Sequence, residues 1–232
     1  MKRILFRLSL PAIFFFVILA AASLYFGVAT GGDAAASEQR VLANIPTLLL
    51  VLQVAILMLL LWIMRSDGLR FSQLGWRCSL NRRCLTDIGI GVVVGTTLGL
   101  WYALQLSAFI EQAQRTLGDY VPPGEIIPTL GGDLIPFFFA NVVFAPCVEE
   151  TLYRGYAIPA LGRHVNALSS VLIACGFFGL LHWAGGFWYT LATGVIVGGV
   201  QGSLFLWRGT LVAAFMAHLS LNVVEFTYVA MH

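Results

Sequence analysis

Residues 44–64 read NIPTLLLVLQVAILMLLLWIM, an apolar run without a single charged side chain. At about 1.5 Å per residue it is long enough to cross the roughly 30 Å hydrocarbon core of a bilayer as one helix. The same reading finds further runs at about 8–28, 88–108, 134–153, 167–184, 187–206 and 210–230, so seven candidate spans fill the chain. Composition agrees: 59% of the 232 residues are hydrophobic, 10% are charged, and the mean hydropathy is +0.88. Soluble domains hold about 45–50% apolar and about 25% charged residues, which excludes a soluble globular enzyme, a disordered tail and a disulfide-rich secreted module. The expected fold class is all-α, a polytopic transmembrane helix bundle of about seven spans, with 1–232 as a single integral-membrane domain. A net charge of +2 gives no reason to expect nucleic acid as a partner.

Lys and Arg accumulate on the cytoplasmic side of membranes. With the N-terminus inside, all of the 13 basic residues except Arg40 and Arg115 fall on that side, which predicts an N-in, C-out chain. The run from Leu8 to Val28 follows Lys2, Arg3 and Arg7 and precedes the small residues Ala34 to Ala36, as in a secretory signal. Its 21 residues exceed the usual apolar region of about 7–15, and it is read as a retained anchor. The long outer loop, about 109–133, carries Pro122, Pro123, Pro128, Gly131 and Gly132 and reads as turns. Glycine ridges at Gly91, Gly95 and Gly99, and at Gly194, Gly198 and Gly202, let helix backbones approach closely; packing within the bundle is expected ahead of a dimer face. Cys78 and Cys84, with five residues between them and no nearby histidine, match no zinc spacing and are read as free thiols.

Ionisable groups inside a bilayer cost at least about 2.5–3.5 kcal/mol each, so those that remain are functional candidates. Glu150 and Arg154 are four residues apart on one helical stripe and can pair, whereas Glu149 points about 100° away, without that partner. A paired carboxylate suits a structural role and an unpaired one a general base. Both acids can equally be read as snorkelling to the cytoplasmic headgroups with Arg154. His218, Asn222 and Glu225 share one face of the last span, as proton-exchanging and oxyanion-binding groups or as interhelical glue. His182, beside Trp183 near an interface, is read as a catalyst or as an anchor.

Taken in order, Glu149-Glu150-Thr151-Leu152-Tyr153-Arg154, then Phe178-Gly179-Leu180-Leu181-His182, then His218-Leu219-Ser220-Leu221-Asn222 resemble the three motifs of the CPBP family of intramembrane endopeptidases. These motifs are Glu-Glu-x-x-x-Arg, Phe-x-x-x-His and His-x-x-x-Asn, and the family is named for CAAX prenyl proteases and bacteriocin-processing enzymes. The resemblance covers roughly 130–230, a catalytic core within the single domain. It implies glutamate-dependent peptide hydrolysis in the membrane. Glu149 would activate water with His182, His218 and Asn222 would hold the water or stabilise the oxyanion, and Glu150, Arg154 and Phe178 would shape the site. No metal cofactor is expected, because no H-E-x-x-H helix is present and Glu150 is committed to Arg154. A divalent ion held by Glu149, His182 and His218 is the alternative. The expected partners are the lipid bilayer and a membrane-associated or lipidated protein or peptide, and the expected address is a bacterial plasma membrane. Two other function classes stay open: a non-catalytic immunity or assembly factor, and a small proton-coupled transporter.

One geometric conflict accompanies this reading. On the boundaries above, Glu149 lies near the inner end of its helix and His182 about 22 Å from the inner end of its own. Bringing them together requires that the fifth helix start deeper, or that Pro136 and Pro146 kink and shift the fourth.

Overall fold

A computed structural model describes residues 1–77, 81–122 and 134–231; Cys78, Pro123, Pro128, Gly131 and Gly132 lie outside the described residues. Among those described, no strand occurs and the chain is a helical membrane bundle. Eight helices follow in order: α1 (Lys2–Ala29), α2 (Ala34–Ala43), α3 (Ile45–Asp67), α4 (Arg82–Leu117), α5 (Ile135–Leu161), α6 (Ala167–Leu181), α7 (Phe187–Arg208) and α8 (Leu211–Met231). Six of them are long and apolar enough to cross a membrane. The fifth expected span, α6, has only 15 residues, about 22 Å, and falls short of a bilayer crossing.

Three boundaries differ from the sequence reading. Ala34 to Ala36 open the short helix α2, whose N-cap Asp33 accepts from the Ala36 N–H at 3.0 Å. α4 runs on to Leu117, so the first part of the expected outer loop is helical; the amphipathic Ser107–Leu117 stretch buries Ile110, Ala113 and Gln114. α5 continues to Leu161, eight residues past the expected end, which moves Glu149 and Glu150 from a helix end to its interior.

That longer α5 is made compatible with its prolines by wide π turns at Phe138–Phe144 and Thr151–Ala157, on either side of Ala145–Glu150. Such bulges re-satisfy backbone groups that proline leaves unpaired, and they recur at functional sites. The cysteine reading also needs correction: Cys84 is disulfide-bonded, while Cys147 and Cys175 are free. Sequence spacing alone says nothing of how Cβ vectors point.

Both glycine ridges pack inside the bundle. A Cβ on Gly95 would run into the backbone of Ala217, and one on Gly99 would lie 2.9 Å from the Val224 Cβ, so α4 and α8 touch backbone to backbone. On α7, Gly194 and Gly202 sit equally close to Cys175 and Val171 of α6, and a Cβ on Gly179 would lie 2.6 Å from the Thr190 carbonyl. These contacts seat α5, α6 and α8 around a common interior.

Candidate active site

With α5 ending at Leu161 and α6 starting at Ala167, the two helices form a hairpin. Counted from its turn, Glu149 stands about 18 Å along one arm and His182 about 22 Å along the other. The vertical conflict is therefore removed by the length of α5, and the short α6 sets His182 as its C-cap within the bilayer thickness. Past His182 the chain turns through Trp183–Gly185 and Gly186, at φ 97°, into α7. That turn is held from outside by Asp119, which accepts from the N–H groups of Phe187 at 2.7 Å and Trp188 at 3.2 Å. Burial pushes the Asp119 carboxyl up, but those N–H groups and that of Tyr120 outweigh it and hold it below its ordinary range.

The two carboxylates of α5 have different surroundings. Glu150 is fully buried; its Oε1 accepts from Arg154 Nη1 at 2.9 Å and from His218 Nδ1 at 2.9 Å. Arg154 also donates to the Gly198 carbonyl at 3.3 Å and lies over the Phe178 ring, 4.2 Å from its centroid. Gly198 lets α7 approach α6 here, since a Cβ would stand 3.2 Å from Cys175 Sγ and 3.3 Å from the Phe178 ring. Glu149 has no cationic partner among the described residues. Its Oε1 accepts from Gln53 Nε2 of α3 at 2.9 Å, and it keeps 3% exposure where Glu150 has none. Charge thus cancels at Glu150 and stays uncancelled at Glu149.

The histidines converge on the same place. Phe178 stands between them, 4.9 Å from the His182 ring and 5.8 Å from that of His218. His182 Nδ1 bonds the Phe178 carbonyl at 2.8 Å; a carbonyl only accepts, so Nδ1 carries the proton and Nε2 presents a lone pair. Glu150 fixes the tautomer of His218 in the same way. His182 is within electrostatic reach of Glu149, His218 and Arg154, with no direct hydrogen bond to Glu149.

Asn222 is explained by the π turn on α5. There the Ala145 N–H bonds the Ala140 carbonyl; the next bond in that register would come from residue 146, which is Pro146 and has no N–H. The orphaned Asn141 carbonyl accepts from Asn222 Nδ2 at 2.8 Å instead, leaving the second amide hydrogen of Asn222 uncommitted. Tyr189 of α7 also reaches this cluster, its ring 6.1 Å from that of His182 and 6.5 Å from that of Tyr102.

Residues 131–224, which carry all three motifs, match the protein family described as type II CAAX prenyl endopeptidase, Rce1-like. This segment is similar to the CAAX-type membrane proteases. No curated protein and no solved structure matches the chain. The Rce1-like segment does not contain Gln53, which sequence reasoning passed over. Its signal was there: a lone amide in the middle of the apolar run that sets the fold, where a polar group without a partner costs energy. Among the described residues no three His, Cys, Asp or Glu groups gather as ligands would, and Glu150 and His218 are engaged with each other.

Proposed function

We propose that the chain is an intramembrane endopeptidase that hydrolyses a peptide bond of a membrane-associated or lipidated protein, with Glu149 as general base. The observation that carries this is the convergence, inside a CAAX-type membrane protease segment, of one charge-compensated glutamate and one uncompensated, slightly accessible glutamate beside two histidines of fixed tautomer. Glu149 takes a proton from water while the His182 Nε2 lone pair accepts the water's other hydrogen bond. The water oxygen adds to the scissile carbonyl carbon. The oxyanion meets the free amide hydrogen of Asn222. Glu149 then returns its proton to the leaving amine as the C–N bond breaks, so one water is consumed and a carboxyl and an amine are released.

Glu150 and Arg154 hold His218 and the Phe178 ring in place around that water, a base-and-orienter arrangement known from other hydrolases. Gln53, from outside the 130–230 core, orients Glu149 by holding one of its oxygens. The distribution of basic residues supports an N-in chain.

The deciding experiment compares wild type with Glu149→Gln by mass spectrometry of membrane-protein termini in cells carrying each form. New termini present only with wild type are expected, and they identify the substrate. Equal termini with both proteins stably present would overturn the reading.

A further inference from the structure

At the end of the bundle where α1 begins, a cavity of about 530 Å³ opens between α1, the end of α3 and the end of α5. Its guanidinium lining consists of Arg3, Arg7 and Arg163, beside His164, with a single acid, Asp67. Arg7 is built into the wall: it is 1% exposed, bonds Asp67 at 2.6 Å and the Tyr156 hydroxyl at 2.8 Å, and its Nε has no partner among the described residues. Arg3 shares the same carboxylate at 3.1 Å with its side chain largely exposed. Arg163, exposed at the rim, makes no ion pair among the described residues. Three guanidinium groups therefore face one carboxylate, and two positive charges stay uncompensated. The remaining wall is apolar, with Ile4, Leu69 and Pro159.

This place is the first turn of one membrane helix and the last turns of two others, the depth at which phospholipid phosphates lie. Basic pockets between transmembrane helices bind anionic headgroups, and guanidinium forks match phosphate oxygens. We propose that this cavity is a binding site for the phosphate of an anionic phospholipid headgroup, with Arg3 and Arg163 as its charged rim, Arg7 as its floor and the apolar wall against the glycerol and upper acyl chain. Nothing in it depends on the hydrolytic reading.

The test uses the purified full chain in detergent, titrated with phosphatidylglycerol, with phosphatidylcholine and with inorganic phosphate, and read by native mass spectrometry and by thermal unfolding. Phosphatidylglycerol is expected to bind more tightly than phosphatidylcholine. Arg3→Gln combined with Arg163→Gln should weaken phosphatidylglycerol about 10- to 30-fold, from about 1 kcal/mol per basic residue at a membrane surface. Both residues are exposed, so the fold is kept, and Arg40→Gln, outside the cavity, should change nothing. Unchanged phosphatidylglycerol binding in the double variant, or equal binding of phosphatidylcholine, would overturn the site. Inorganic phosphate binding as tightly as phosphatidylglycerol would overturn the lipid as its occupant.

Discussion

Two neighbouring glutamates on one helix differ because their neighbours differ. Glu150 reaches a guanidinium four residues on and an imidazole from α8; among the described residues, Glu149 takes its hydrogen bond from the amide of Gln53. That amide is itself half-satisfied, since Gln53 Oε1 is buried without a partner. A carboxylate oxygen cannot donate, so the amide must present its NH2 to Glu149 and its carbonyl away from it. Gln53→Met keeps the length of the side chain and removes the donor. It exchanges one orphan oxygen for another and should leave thermal stability nearly unchanged. Against the substrate found from the termini, kcat should fall on the order of 10²-fold at constant KM, because a misaimed base is lost only in the transition state. Full kcat in Gln53→Met, with Glu149→Gln inactive, would remove Gln53 from the mechanism and leave the base assignment standing.

Among the helices, backbone contact rather than side-chain burial decides the arrangement. In lipid no hydrophobic drive pushes helices together, so α4 and α8 gain by approaching at Gly91, Gly95 and Gly99, where van der Waals contact is densest. Gly95→Val should cost at least about 1–3 kcal/mol, since the added carbons meet the Ala217 backbone, which cannot give way. Gly89 lies on the same helix with nothing within 4 Å of an added Cβ, and Gly89→Ala should be neutral or stabilising by about 0.5–1 kcal/mol. Thermal unfolding in detergent separates the two; equal shifts would mean that the α4–α8 contact does not hold the bundle. The same close packing of α6 on α7, at Gly179 and Gly194, keeps the short α6 in place although it cannot span the bilayer by itself.

At the scale of the whole molecule, the matched segment 131–224 is not self-sufficient. Its α8 buries Ala213, Ala217 and Leu221 in the bundle, α4 packs directly along Ala217 and Leu221, and Glu149 draws its hydrogen bond from α3. A fragment 131–232 expressed in membranes should therefore fail to give a monodisperse protein on size exclusion and should not restore the termini seen with the full chain; a stable, active fragment would contradict this. Hydropathy and spacing alone determined that the chain is a helical membrane bundle, the approximate placing of the six long helices, the i,i+4 pairing of Glu150 with Arg154, and the common face of His218 and Asn222. These follow from local periodicity, which the chain carries wherever it folds. Tertiary structure decided the rest: that Glu149 and Glu150 sit inside α5 rather than snorkelling at its end, that His218 belongs to Glu150, that Asn222 answers a carbonyl orphaned by Pro146, that Cys84 is disulfide-bonded, and that Gln53 serves Glu149. Each of these depends on which helix stands beside which and at what height, and a one-dimensional pattern of apolar and polar residues does not encode either.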